Sequence, residues 1–549
     1  MNSIYTIKKG WLFALAFGWL LSMTGFQNAV AQEVRTVVVE PTNDFGDLNE
    51  AIDSDTTETG ERVDPNTVYV LKRDAVYILD GSLQNRDYFL HLAAEEGEGH
   101  PPVIFPGVML DGSSQRIFNV RGDVKVEGIY FSHIDEIGAK KQNMFRVRSG
   151  ETRIEIDNSW LEWETQSFIR YDNSDNDIFI TNSVFRNAGQ RSNPGNGRWF
   201  DTRGNNTDTV FVENNTFYNQ SMYFHRMDGA IVNYFHVNHN TIFNGGYNFP
   251  IGRTLEANIT NNLIMNHGFR GDYGTGEPIS VAEPDSGVLY FEAGLFEADS
   301  IGQLEDFSDE DRIINLRNNN LWVDVSITDL INEQPDTLYQ PLQRFNPTWQ
   351  GYIDSEIPNL VIENNFEEEL NFNDAPESPL DWMAAHFEDP DTDVWFQAAP
   401  DARTERSTDS WHDFTYNTDA ESYTAGDDGF PLGDLNWFPE LKAQWEAGEP
   451  LVSTESEESI ARDFRLVGNY PNPFNPTTNI VYELASQANV TMEVFNILGQ
   501  KVESLNMGRQ ARGIHEFTYD ASRLSGGVYI VRMKVDDTAT QTLRITLIK

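Results

Sequence analysis

The sequence predicts an all-β chain, a parallel β-helix solenoid followed by a small C-terminal β-sandwich. A short phrase recurs through the middle of the chain: a β-branched residue, a polar residue, Asn, then apolar residues. It reads Ile156-Asp157-Asn158-Ser159-Trp160, Ile180-Thr181-Asn182-Ser183-Val184, Val212-Glu213-Asn214-Asn215-Thr216, Val237-Asn238-His239-Asn240-Thr241 and Ile259-Thr260-Asn261-Asn262-Leu263. Its spacing is nearly fixed: Asn158 to Asn182 is 24 residues, Asn215 to Asn240 is 25 and Asn240 to Asn262 is 22, with one longer step around Arg191–Arg198. The chain is also 39% hydrophobic and 12% aromatic without a single cysteine, so a large core must form without disulfides or thiolate metal sites. Period-2 strands, each ending on an Asn that tolerates left-handed backbone, describe coils stacked strand on strand. Equivalent asparagines then stack in a ladder that satisfies backbone groups at the bend of the neighbouring coil. A β-propeller would repeat at roughly 40 residues or more.

Taken in order, residues 1–31 read as an export signal: Lys8 and Lys9, an apolar run from Trp11 to Met23, then Ala29-Val30-Ala31 as a small-x-small cleavage site. That run is too short to span a bilayer, which needs roughly 20 apolar residues. Residues 32–448 form the β-helix. It opens with Thr36–Val39, a short capping helix around Leu48–Ile52, and Val68–Leu71, and weaker copies of the phrase at Val126–Tyr130, Leu316–Asn319 and Val361–Asn365 extend it. Residues 449–462 are acidic and serine-containing, without apolar periodicity, and read as a linker. Residues 463–549 alternate short strands with Asn469-Tyr-Pro-Asn-Pro473 and Gly526-Gly527, a β-sandwich pattern.

Charge separates these regions. The chain holds 39 basic and 86 acidic side chains, a net −47, which excludes a nucleic-acid binder relying on overall charge and suits solubility in saline water. Residues 463–549 hold 9 basic and 8 acidic groups, residues 256–462 hold 8 and 45, and residues 140–255 hold 12 and 12. A neutral, arginine-containing stretch therefore sits inside an acidic protein.

Within that stretch each coil brings an arginine near an aromatic or apolar residue: Arg146 and Arg148 after Phe145, Arg170 after Phe168, Arg203 after Trp199, Arg226 after Phe224, and Arg253 after Ile251. Arg170 to Arg203 is 33 residues and Arg203 to Arg226 is 23, so stacking predicts a cationic row along one flank, about 4.8 Å per step. Guanidinium forks suit carboxylates and sulfates, and an anionic polysaccharide is the expected partner. Strict alternation puts Phe168 with Arg170 and Phe224 with Arg226; either a bend intervenes, or Phe168, Trp199 and Phe224 face outward as a platform for sugar rings. The alternative for the arginines is structural pairing with Asp172, Asp201 and Asp228. In a lyase on a uronate polymer, Arg170, Arg203 and Arg226 would neutralise the carboxylate, and His225 or Tyr223 would move the proton. Asp172, Asp175 and Asp177 offer hard oxygen ligands for calcium, without the glycine and distal glutamate of an EF-hand loop.

Residues 36–440 resemble the pectate-lyase-like right-handed parallel β-helix proteins, in the lead-in named above, the repeated phrase and the closing segment Gly426–Phe438. That resemblance implies a polysaccharide lyase, a glycoside hydrolase or a glycan-binding protein, with calcium often assisting and arginine a possible base. Trp-Ile-Asp-His, Arg-x-Pro-x-x-Arg and Gly-His-Gly motifs are missing, which argues against pectin specificity and makes an inverting hydrolase less expected. Asn469–Thr478 and the terminal Arg544-Ile-Thr-Leu-Ile-Lys549 resemble the type A sorting domain of the type IX secretion system, implying contact with that machinery and secretion or outer-membrane surface attachment. A monomer is expected.

Overall fold

The computed structural model describes residues 34–269, 308–333, 359–389, 411–451 and 464–547, less 43–44, 87, 191–195, 223, 247–248, 449, 471–473, 485, 497–500, 526 and 536–538, together with 296–298 and 397. The expected signal peptide and most of the expected linker lie outside the described residues. Strands such as Val124–Glu127 and Asn176–Thr181 alternate buried with half-buried residues, the period of a pleated strand with one face on a core. They stack as a long parallel sheet, sheet 1, from Thr36–Val39 and Val68–Leu71 through Arg153–Asp157, Asn176–Thr181, Thr207–Glu213, Ile231–Asn238 and Phe249–Thr260 to Ile313–Arg317 and Leu360–Glu363. Among the described residues six strands form sheet 2: Leu83–Arg86, Phe118–Arg121, Phe145–Val147, Ser167–Tyr171, Arg198–Asp201 and His225–Arg226. Eight form sheet 3, from Val76–Leu79 through Trp160–Glu164, Val184–Ala188 and Thr216–Gln220 to Leu263–His267. From Leu83 to Gly245 each coil passes from sheet 2 to sheet 1 to sheet 3, giving the expected parallel β-helix.

In register, Val126, Ile156, Ile180, Val212, Val237, Ile259 and Leu316 form one interior row along sheet 1, each at most 1% exposed. Burying a side chain of this kind contributes about 1.5–3 kcal/mol. The helix Asp47–Asp53 closes the first coil with Leu48 and Ile52, both 1% exposed. The weaker copies of the phrase also continue the solenoid, with Ile313–Arg317 paired to Phe249–Thr260 on one side and Leu360–Glu363 on the other.

The repeated phrase resolves into two adjacent tracks at the bend between sheets 1 and 3. Asn158, Asn182, Asn214, His239, Asn261, Asn318 and Asn364 take positive φ, from 47° to 60°. The residue after each turns inward. Ser159 N donates to Ser183 Oγ, Ser183 N to Asn215 Oδ1, Asn215 N to Asn240 Oδ1, Asn240 N to Asn262 Oδ1 and Asn262 N to Asn319 Oδ1, at 2.8–3.0 Å. Asn240 Nδ2 donates to Val212 O at 2.9 Å and Asn262 Nδ2 to Val237 O at 2.9 Å. The expected ladder exists, but the spacings counted from Asn158 and from Asn215 belong to different tracks. A second ladder lies five residues on: Asn187, Asn219, Asn244 and Asn266 all have positive φ, and each of the last three donates from Nδ2 to Oδ1 of the one before.

The outer face of sheet 3 is covered by the closing segment. Trp437 Nε1 donates to Thr216 Oγ1 at 2.8 Å, Thr216 Oγ1 donates to Asp434 Oδ2 at 2.8 Å, and Gly433 N donates to Asn261 O at 2.9 Å. Beneath Trp411 lies a buried ion pair, with Arg186 Nη2 2.7 Å from Glu162 Oε2 and donating also to Tyr130 Oη at 3.1 Å.

The second compact unit holds Pro439 onward and includes the helix Pro439–Ala447. Its sandwich pairs a three-stranded antiparallel sheet, Phe464–Tyr470, Thr477–Leu484 and Gly513–Asp520, with a four-stranded one, Lys501–Gln510, Ala488–Asn496, Gly527–Val535 and Ala539–Leu547. Ile480, Val490, Met492, Val494, Val531, Met533 and Ile545 are wholly buried between them.

Replacing Asn240 by Ala strands the Asn215 amide and the Val212 carbonyl in the core. It should lower the unfolding free energy by about 2–6 kcal/mol, at roughly 1–3 per unsatisfied group, whereas exposed Asn233→Ala should stay within about 0.5 kcal/mol. Urea unfolding of both variants checks this.

Candidate functional site

Sheet 2 carries the arginine row, and its register corrects the membership. Asn119, Arg146, Arg170, Asp201 and Arg226 stand side by side on successive strands. Arg203 is not in the row. The long coil advances 31 residues on sheet 2, from Arg170 to Asp201, and Arg203 follows in the next turn with φ 55°. Arg253 is also elsewhere, on the sheet 1 strand opposite Ile231; Arg148 is exposed just past its strand.

The row is built as charge pairs. Arg146 Nε is 2.7 Å from Asp172 Oδ2 and Arg170 Nε 3.1 Å from Oδ1, so one carboxylate holds two guanidinium groups. Burial would raise the Asp172 pKa, but the Arg146 bond and the Arg170 charge outweigh it and hold the carboxyl below its usual range. Arg226 Nε is 2.7 Å from Asp228 Oδ1. Asp201 is fully buried, accepts the Arg203 amide at 3.1 Å and lies 3.5 Å from Arg198 Nη1; burial pushes its pKa up against the pull of Arg198, Arg226 and Arg203. The pairing of arginines with Asp172 and Asp228, weighed from sequence as the alternative, is thus present, while Arg146, Arg170 and Arg226 keep 17–27% of their side chains exposed on the same face.

A buried carboxylate sets the strands in place. Glu164, wholly buried, accepts the amides of Asn143, Met144 and Gln166 at 2.8–3.0 Å and bonds His133 Nδ1 at 2.8 Å. It thereby fixes the entries of two adjacent strands, and Gln166 Oε1 accepts from Arg170 Nη1 at 3.1 Å.

Two expectations fail on burial. Phe168, Trp199 and Phe224 are 0% exposed and form a continuous aromatic core, with Phe168 stacked on Trp199 at 5.3 Å and Phe224 on Phe249 at 4.5 Å. The chain bends where it enters sheet 2, so Phe168 and its neighbour Ile169 both turn inward, as do Trp199 and Phe200. None of these rings is a sugar platform. His225 is the partner of Phe200 in register and shares its interior position. It is fully buried without a hydrogen-bond partner on either ring nitrogen, and burial pushes its pKa down to about 3. A neutral imidazole facing the core moves no proton on the outer face. Tyr223 lies outside the described residues.

The aspartates expected around calcium are dispersed. Asp172 is held by the arginines, Asp175 occupies a turn at φ 63°, and Asp177 is a sheet 1 residue opposite Arg153 whose pKa burial pushes up to about 6. Among the described residues no group of three His, Asp or Glu side chains gathers as a metal site. The sequence reading also missed part of the cationic face: Arg86, Arg116 and Arg121 extend it toward the first coils. Arg86 and Arg121 precede the first clear copy of the repeated phrase, so no spacing pointed to them.

Residues 469–548 match the family model of a secretion system C-terminal sorting domain. No curated protein matches the chain. The chain carries a type IX sorting domain and is exported to the cell surface or beyond, and among the described residues no helix is long and apolar enough to cross a membrane.

Two outcomes follow. Deleting residues 463–549 should leave the protein in the periplasm, checked by fractionation. His225, with its folded pKa near 3 against about 6.5 unfolded, binds fewer protons folded than unfolded between those values. Its stability contribution is therefore present above pH 6.5 and lost as pH falls toward 3. His225→Phe should lose less melting temperature between pH 7 and 4.5 than the parent does.

Proposed function

We propose that the β-helix unit binds an acidic, uronate-containing glycan such as alginate or pectate along sheet 2 and cleaves it by β-elimination. The observation that carries this reading is the half-exposed row of Arg146, Arg170 and Arg226, in register on one face of a protein of net charge −47. Guanidinium forks pair with planar carboxylates, and a partly buried row strengthens that pairing relative to bulk water.

In the reaction, arginines neutralise the uronate carboxylate, which acidifies the C5 proton. A base removes that proton, the electron pair forms a C4–C5 double bond, and the C4–O bond breaks with protonation of the leaving oxygen. With His225 in the core, the base role falls to Tyr223, which adjoins the row in sequence. Calcium, if the reaction uses it, has no gathered ligand set among the described residues, and no step here depends on it.

A second reading, a non-catalytic surface glycan-binding protein, is favoured by the carboxylates that hold Arg146, Arg170 and Arg226. Incubation with a panel of uronate polymers separates the two readings and a hydrolase besides. Growth of ultraviolet absorbance from the unsaturated product means a lyase, reducing ends without absorbance mean a hydrolase, and retention without cleavage means a binder. For a lyase, Arg170→Ala should lower kcat/KM by at least about tenfold, the scale of one charge-assisted contact, with melting nearly unchanged. Tyr223→Phe should lower kcat with little effect on KM, because proton transfer belongs to the transition state alone.

A further inference from the structure

The paired arginines leave the opposite end of sheet 2 unused. Arg86 and Arg121 are in register on its first two strands, and because Val147 pairs with Val120, Arg148 continues their line on the third. All three are exposed and recur at about 4.8 Å per strand. Arg148 Nε stands 3.4 Å from Asn119 Oδ1, and among the described residues none of the three has an ion pair. Beside them Arg116 is half-buried, with Nη1 lacking a hydrogen-bond partner. Burial, then repulsion from Arg146 and Arg148, pushes its pKa down against the pull of Glu164, with Arg170 adding to the repulsion. Like charges gathered without ion-pair partners of their own repel one another in the free protein, and an anion relieves them.

We infer that this end of sheet 2 is a sulfate-ester subsite, and that the glycan it takes is a sulfated uronate polymer. The inference rests on the reading that a glycan lies along sheet 2. Successive rings of a polysaccharide extended with two-fold symmetry alternate in facing, so a plain polyuronate in that conformation presents a carboxylate to one side at every second ring. The unpaired arginines recur at every coil. Filling that line requires an added anionic group on the intervening rings, and a sulfate ester, with three terminal oxygens, accepts from the forks of two neighbouring guanidinium groups. A nucleic-acid strand fits less well, because its bases need exposed aromatic rings to stack on and every aromatic residue of sheet 2 is in the core.

The test is binding of the full chain to chondroitin sulfate and heparin and to their desulfated counterparts of equal length, by affinity electrophoresis. The parent should bind a sulfated polymer at least tenfold more tightly than its desulfated form. The variant R86A/R121A/R148A should lose that preference while keeping its weaker binding to the desulfated chain. Since the three side chains are exposed, its melting temperature should match the parent's. Equal binding of sulfated and desulfated polymers, no binding to either sulfated polymer, an unchanged preference in the variant, or equally tight binding of single-stranded DNA would each overturn the subsite. The readout is binding alone, so absence of an unsaturated product would remove the lyase reading and leave this inference standing.

Discussion

A backbone amide and a carbonyl are buried at every bend between sheets 1 and 3, and neither tolerates being left without a partner. The amides of Ser159, Ser183, Asn215, Asn240 and Asn262 are each received by the side chain of the next coil. That transfer forces every coil to repeat the last one's position at the bend, because a slip of one residue would strand the amide and turn the adjoining strands inside out. Registration at one edge propagates around the coil. It lines up the aliphatic row of sheet 1 and, on the far side, Arg146 beside Arg170 and Asp201 beside Arg226.

The ladder was legible because it needs a particular residue type at a particular interval. The second ladder was not read from the sequence. Asn187, Asn219, Asn244 and Asn266 sit five residues beyond the first track, inside strands whose apolar neighbours draw attention away from them. The face of sheet 2 was harder to read. Counting from Arg170 to Arg203 crosses residues 191–195, and a coil's length on one sheet need not equal its length on another, so Asp201 took the place assigned to Arg203. Alternation also misled at the corner into sheet 2, where two consecutive residues point inward. For that reason Phe168, Trp199, Phe224 and His225 belong to the core.

The site that results is defined more by charge contrast than by a nucleophile or a metal cage. Carboxylates sit between the arginines at one end, as Asp172 does between Arg146 and Arg170, which holds the guanidinium planes at fixed orientation before any ligand arrives. At the other end the arginines stand without such partners. On the proposed reading, a face graded in this way would orient a polyanion as well as attract it, since the two ends differ in what they demand of the chain lying on them. The acidic remainder of the protein sharpens that contrast and keeps other surfaces from competing.

The three corners of a coil differ in how freely they vary. From sheet 1 to sheet 3 the connection is two residues in each coil from Glu127–Tyr130 to Thr260–Leu263, the length the ladder permits. From sheet 3 to sheet 2 it ranges from two residues, between Glu164 and Ser167, to twelve, between Ser132 and Phe145. The rigid corner thus acts as an evolutionary spine, and the variable one as the place where insertions accumulate at little cost to folding. Because that variable corner leads directly into the arginine face, loops exchanged there would alter what the face meets while the spine stays unchanged.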